Sequence, residues 1–248
     1  MKKMSKVLGM AAVGACLALS ASALQVQMGY PGYSYGKYQT GNGGEFTLSP
    51  YGSEALNTSF YCSDAKNVGV QGSVQTFCLE WNEHINGYPA YYDAAINSYA
   101  NHGGVSGGID PLSQGTGWLV KQFATGLWEG NLTYNYGSGR STSAALLQQA
   151  IWMLEEEGPW SYNANNVYAK AAYDKWGWGL TGAQGGVAAT YGVVALNLTA
   201  PGSTTDAGFK QDQVFYEGKS VPDGGMTVAL LGIAMAGLAV LRRRSSRA

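Results

Sequence analysis

A predicted helix at residues 143–157, SAALLQQAIWMLEEE, limits the possible folds more than any other segment of the chain. Leu147, Ile151 and Leu154 recur at helical spacing and form one apolar face. Hydroxyl side chains at 141–143 offer N-caps, and the Gly-Pro pair directly after the segment cannot continue a helix. Because the apolar face must be covered, we expect the helix to pack against another layer of the fold.

Gln148 is the unusual residue of this helix because it lies at the edge of the apolar face, one turn before Trp152. A carboxamide at the boundary of a core requires hydrogen-bond partners. The candidate partner is Cys78 in the segment 73–80, SVQTFCLE, whose alternation predicts a strand. On that strand Cys78 and Glu80 face one side, whereas the residues on either side of Cys78 face the other.

The main body of the chain is acidic, whereas its two ends are basic. Residues 24–225 contain 8 Lys and Arg against 16 Asp and Glu, a net charge of −8. Such a body repels nucleic acid and offers no basic stripe for phosphates, which excludes nucleic-acid binding. The 36 glycines and 17 tyrosines indicate a loop-rich surface of the extracellular type.

The order of the predicted elements, strands followed by helices and then strands, indicates an α+β fold. We expect a single exported domain at 45–217, built from antiparallel strands with a group of helices. A flexible lead-in rich in glycine and tyrosine is expected at 24–44. Besides 73–80, the strand candidates are 45–49, 57–61, 188–198 and 209–216.

Two further helices are predicted, one on each side of the first. Asp110 and Pro111 offer an N-cap and a proline at the first helical position, and Gly126 offers a stop. Asn163 predicts the cap of the other helix, which ends before Gly177. The three glutamates that end the first helix are expected to form a solvated face.

Residues 1–23 have the three parts of a secretory signal peptide: a lysine-rich start, an apolar run from 7 to 19 and the small residues at 21–23. We therefore expect the protein to be exported and this segment to be removed by a signal peptidase. Cys16 within the apolar run leaves lipoprotein-type processing as an alternative.

The segment 218–248 carries a second targeting pattern. It begins with a short motif, which consists of Val221, Pro222, Asp223, Gly224 and Gly225. An apolar run at 226–241 follows, and predicts a transmembrane helix with snorkelling ends. The basic stretch at 242–247 is expected on the cytoplasmic side. Its basic stop consists of Arg242, Arg243 and Arg244.

This three-part tail resembles the PEP-CTERM class of bacterial sorting signals, and its VPDGG start resembles the VPDSG-CTERM variant. The implied partner is an exosortase, a membrane protease that cuts near the short motif. The resemblance implies a protein of the cell surface or extracellular matrix, anchored in the membrane by its tail before processing. A plain tail anchor is the alternative. The segments TFCLE, GWLVKQF and LQQAIWMLE also look like an uncharacterised group of PEP-CTERM proteins.

Two short motifs in the middle of the chain, TFCLE at 76–80 and LQQAIW at 147–152, resemble the thioester domains of bacterial surface adhesins. Leu147 stands where that family has threonine. The resemblance implies that the Cys78 thiol bonds to the side-chain carbonyl of Gln148 and releases ammonia.

The same resemblance implies covalent adhesion. Trp152 shields the acyl donor, and Glu80 and His84 are the candidates for assisting acid–base groups. An amine of a partner surface attacks the former glutamine carbonyl and leaves an amide and a free cysteine. Because this capture happens once, we expect an adhesive protein that is not an enzyme and needs no cofactor or metal.

The residues themselves leave other interpretations open. A disulfide between Cys62 and Cys78 would stabilise the fold by about 3 kcal/mol, and a glycan-binding matrix module with many aromatic side chains would bind polysaccharide without covalent chemistry. Cys78 with His84 or His102 would be a cysteine-hydrolase pair. A metal site from these residues and Glu83 lacks paired ligand spacing.

Overall fold

The computed structural model describes residues 24–40, 43–52, 72–103 and 108–218. The strands in these ranges are β1 (Leu24–Met28), β2 (Gln39–Thr40), β3 (Gly43–Gly44), β4 (Phe46–Pro50), β5 (Val74–Cys78), β6 (Tyr91–Asn97), β7 (Tyr99–Gly103), β8 (Gly108–Pro111), β9 (Val193–Thr199) and β10 (Phe209–Tyr216). The helices are α1 (Gln114–Thr125), α2 (Arg140–Leu154) and α3 (Val167–Trp176). The expected signal peptide, the strand candidate 57–61, Cys62 and the sorting tail lie outside the described residues.

Six strands close into an antiparallel barrel in the order β1-β4-β5-β10-β9-β6. Val26 of β1 lies opposite Pro50 of β4 and Tyr92 of β6, so β1 closes the barrel. Leu24–Met28, at the start of the expected lead-in, thus forms a barrel strand. Val26 and Met28 are fully buried between less buried glutamines, and this short alternation is hidden in the glycine- and tyrosine-rich sequence around it.

The alternation of β5 divides its side chains between two apolar clusters. Val74 and Cys78 belong to the cluster that fills the barrel and contains side chains from every barrel strand. Phe77 belongs to the layer between the barrel and the helices. The predicted separation of Cys78 from Phe77 is thus confirmed, and the backbone that carries Cys78 is held between two packed layers.

Helix α2 lies against the barrel with the predicted apolar face. Leu147, Ile151 and Leu154 are all buried. The predicted bounds are wrong by about one turn, because the helix spans Arg140–Leu154 instead of 143–157. Its start lies earlier because the buried Arg140 forms an ion pair with Glu45, and this tertiary contact outweighs the capping preference of the hydroxyl residues.

The acidic end of α2 differs from the expected solvated face. Glu155 and Glu157 are buried, and Glu156 takes a left-handed conformation with φ 56 that ends the helix before the glycine. Ser113 donates to Glu155 Oε1 through its hydroxyl at 2.7 Å, and the backbone N–H of Trp81 donates to Glu157 Oε2 at 3.0 Å. These glutamates therefore connect α2 to two distant segments.

The other two helices begin later than predicted. Asp110–Pro111 lies in β8, and Ser113 caps α1 instead. Asn166, not Asn163, caps α3. The stop at Gly126 is confirmed, with the left-handed φ of 68 that a glycine adopts without strain. Several residues near each helix start are suitable N-caps, and tertiary packing decides at which of them the helix begins.

The expected combination of antiparallel strands and a group of helices is confirmed, whereas closure of the strands into a barrel was not predicted. Within the described ranges no helix is both long and apolar enough to cross a membrane. The predicted span at 226–241 lies outside those ranges.

Candidate functional site

The structure brings Cys78 and Gln148 together although 70 positions separate them in the sequence. The backbone N–H of Cys78 donates to Gln148 Oε1 at 2.9 Å, and Gln148 Nε2 donates to the carbonyl oxygen of Cys78 at 2.8 Å. Both residues are buried. The carboxamide is therefore fixed in the core by two hydrogen bonds to the backbone of one residue.

The end of a strand pairing creates this arrangement. Strand β4 pairs with β5 only as far as Thr76, whereas β10 continues alongside Cys78 through Gln213. The backbone of Cys78 therefore has a strand on one side and the side chain of Gln148 on the other. The carboxamide satisfies the N–H and C=O groups that a neighbouring strand would otherwise bind.

Gln213 of β10 is a second glutamine at Cys78, and sequence analysis missed it. Its Nε2 lies 3.5 Å from the Cys78 sulfur, and its Oε1 accepts a hydrogen bond from the Thr76 hydroxyl at 2.9 Å. Burial raises the pKa of the Cys78 thiol well above its ordinary value, and Gln213 opposes this rise. The resting thiol is neutral and already has a donor that would stabilise a thiolate.

A cavity of about 760 Å³ opens at Cys78. Trp152, the predicted shield, lines it together with Trp81, and their rings pack edge to face with centroids 4.8 Å apart. Trp160 packs against Trp81 with centroids 5.4 Å apart. His84, a predicted assisting residue, also lines the cavity. Cys78 thus lines a space whose wall is partly aromatic.

Gly43 of the short β2–β3 hairpin covers the helix side of the site. A Cβ at this position would lie 2.6 Å from Gln148 Cγ and 2.8 Å from Trp152 Cη2. Its φ is +99, which also favours glycine. The hairpin therefore approaches Gln148 with backbone only, and a larger residue would displace the carboxamide or the indole.

Glu80, the other predicted assisting residue, is buried beside Asp212. The backbone N–H of Asp212 donates to Glu80 Oε2 at 2.6 Å, while Glu80 Oε1 has no hydrogen-bond partner among the described residues. Burial and the charge of Asp212 raise the pKa of Glu80 well above its ordinary value. Burial raises the pKa of Asp212 to about 6. The pair therefore holds a proton near neutral pH.

The described residues do not form the cysteine-hydrolase pair or the metal site that the sequence left open. In the described part of the chain His84 makes no hydrogen bond to Cys78, and His102 instead lies 3.2 Å from Glu83. Among the described residues no group of His, Cys, Asp and Glu is placed to hold a metal ion. Cys78 is a free, buried cysteine, and its disulfide with Cys62 stays a prediction because Cys62 lies outside the described residues.

Comparison with known proteins gives a match for the tail. Residues 220–245 match the VPDSG-CTERM motif. No curated protein and no solved structure matches the chain. The resemblance of the middle to thioester adhesin domains is therefore not supported by these comparisons. The motif supports a sorting signal of the PEP-CTERM type, and it implies that the protein is processed by an exosortase and exported to the cell surface.

Proposed function

We propose that this exported surface protein attaches covalently to a partner through an internal thioester between Cys78 and Gln148. The observation that carries the proposal is the double hydrogen bond between the Gln148 carboxamide and the Cys78 backbone, at 2.9 and 2.8 Å. This contact holds the carboxamide against the residue that carries the thiol, and Cys78 also lines a cavity. A purely structural glutamine needs neither the thiol nor the cavity.

Thioester formation follows from these contacts. The Cys78 sulfur attacks Cδ of Gln148, the carbon–sulfur bond forms, the carbon–nitrogen bond breaks, and ammonia leaves with the thiol proton. Negative charge develops on Gln148 Oε1, where the Cys78 N–H already donates at 2.9 Å and acts as an oxyanion hole. Gln213 Nε2, at 3.5 Å from the sulfur, stabilises the thiolate during the attack.

Burial protects the product until a partner arrives. Cys78 and Gln148 are 1 % and 0 % exposed, so bulk water is kept from the acyl carbon, and the cavity lined by Cys78 is the opening at the site. A nucleophile of the partner enters there and takes the acyl group, which leaves a bond to the former Gln148 side chain and a free Cys78 thiol. Each molecule reacts once, so the protein adheres and does not turn over as an enzyme.

Labelling with methylamine tests this function. We expect methylamine to be incorporated at Gln148, with one Cys78 thiol appearing for each adduct, as measured by peptide mass spectrometry. Gln149→Glu is the matched control on the same helix, because Gln149 is partly exposed and should not affect labelling. Cys78→Ala should abolish it. Unlabelled wild-type protein, or equal labelling of Cys78→Ala, overturns the proposal.

A further inference from the structure

We propose that the cavity at Cys78 binds a neutral carbohydrate and presents one of its hydroxyl groups to the acyl carbon, so that the protein attaches to glycans through an ester bond. This inference rests on the proposed thioester and names its acceptor. It follows from the chemistry of the cavity wall, which suits a hydroxyl group better than a protonated amine.

The wall carries no carboxylate, ammonium or guanidinium side chain among the described residues. None of the described residues that line the cavity is Lys, Arg, Asp or Glu, and its side-chain amides belong to Gln39, Asn82 and Gln211. An amide both donates and accepts hydrogen bonds, as a sugar hydroxyl does. An ammonium group only donates, so it offers the amide N–H groups no acceptor and would lose its own water without gaining a carboxylate.

The apolar part of the wall is aromatic. Trp81 is half-buried, and it lines the cavity together with Trp152 and Phe46. The flat face of an aromatic ring packs against the CH groups of a sugar ring, while neighbouring amides reach its hydroxyl groups. A volume of about 760 Å³ lies within the usual range for small-ligand sites and accommodates a short oligosaccharide.

His84 supplies the base that a hydroxyl acceptor requires. It lines the cavity and is exposed to the entering ligand. As the hydroxyl oxygen attacks, its proton passes to the His84 imidazole, the carbon–oxygen bond forms and the carbon–sulfur bond breaks. The proton then moves from His84 to the Cys78 thiolate. A neutral amine attacks through its free lone pair, so its reaction depends far less on His84.

The experiment uses exported protein whose mass already shows the loss of one ammonia. It is incubated separately with maltotetraose, cellotetraose, chitotetraose and Nα-acetyl-lysine, and each product is weighed before and after treatment with hydroxylamine. We expect an oligosaccharide adduct at Gln148 that hydroxylamine removes, as it cleaves esters and not amides. Adducts with the lysine probe and with none of the three sugars overturn the inference and leave the thioester intact.

The variant His84→Asn tests whether His84 acts as a base or has only a structural role. We expect it to slow ester formation by about 100-fold or more and to slow methylamine labelling much less. Equal loss of both reactions contradicts the role of His84 as the base. Trp81→Leu should weaken sugar capture, measured on the fraction of the variant that has lost ammonia. Protein that never loses ammonia overturns the proposed function, and this inference with it.

Discussion

Helix α2 makes two buried polar contacts with the barrel side of the molecule, and they differ in kind. At its first residue, Arg140 donates from Nε and Nη2 to the Glu45 carboxylate at 2.8 and 2.7 Å, with both side chains fully buried. Further along, the Gln148 carboxamide binds the backbone N–H and carbonyl oxygen of Cys78. The ion pair joins two opposite charges, whereas the amide contact joins uncharged groups.

Helix α2 therefore carries both a structural ion pair and the amide contact that we propose to be reactive. The guanidinium of Arg140 also lies 4.0 Å from the ring centroid of Tyr38, and Tyr134 donates its hydroxyl to Glu45. The charged groups of the ion pair are thus held by neighbouring aromatic residues, which indicates a structural role. At Gln148 the hydrogen-bond partners are backbone groups of Cys78, so this contact joins uncharged groups.

Breaking the ion pair should give the largest effect. Arg140→Met leaves the Glu45 carboxylate buried without its cation, and we expect the free energy of unfolding to fall by about 3–5 kcal/mol. The double variant Arg140→Met/Glu45→Gln should recover most of this loss, because no unpaired charge remains. Urea unfolding measures both. A loss below about 1 kcal/mol in the single variant would contradict a structural role for the Arg140–Glu45 ion pair.

Opening the thioester should give the next effect. The proposed bond closes a loop of 70 residues, and methylamine treatment should lower the free energy of unfolding by about 4 kcal/mol in the chain-entropy account. Cys78→Ala should match the treated protein and should not respond to methylamine. Equal stability of treated and untreated wild type would show that no cross-link is present.

The Glu80–Asp212 pair should make the free energy of unfolding fall as the pH rises. A salt-bridged carboxylate has the opposite effect. The pKa of Asp212 rises from 3.8 to about 6, and that of Glu80 also rises, so the folded state binds more protons than the unfolded state in this window. Their contribution is complete below about pH 4 and is lost as the pH rises through the folded values.

Urea unfolding from pH 4 to 8 checks this sign. Glu80→Gln should flatten the decline because it imitates the protonated side chain. Some decline should remain, since burial also raises the pKa of Glu155 to about 7. Stability that increases over the same range would contradict the assignment of a shared proton to Glu80 and Asp212.

The smallest effect is expected at the hairpin. Gly43→Ala places a Cβ 2.6 Å from Gln148 Cγ, and we expect a loss of about 2 kcal/mol together with slower methylamine labelling. Gly52→Ala is the matched control, with φ +77 and no atom within 4 Å of its Cβ, and should cost about 1 kcal/mol with normal labelling. Equal labelling of the two variants would show that the hairpin does not position Gln148.

Local patterns predicted the two elements that carry the site. The apolar spacing of α2 and the alternation of β5 depend on neighbouring residues, so the sequence shows them directly. The pairing of Cys78 with Gln148 was expected from a motif resemblance, and the contact is present. Whether the thioester forms stays a proposal.

The rest of the site depends on contacts between distant segments. Gln213 reaches Cys78 through the register of β10 with β5, and Gly43 reaches Gln148 through a hairpin too short to show a strand pattern. Closure of the barrel by β1 and burial of Glu155 and Glu157 likewise depend on partners elsewhere in the chain. Propensity and periodicity carry no information about such partners.

The most direct test is the intact mass of the purified exported domain, measured without reduction and before any reagent is added. The account predicts that wild-type protein lacks one ammonia, that Cys78→Ala has its full mass, and that digestion yields the Cys78 peptide linked to the Gln148 peptide. A wild-type protein with its full mass would contradict the account. So would a deficit of two hydrogens with a Cys62–Cys78 linkage, because the disulfide then occupies the sulfur.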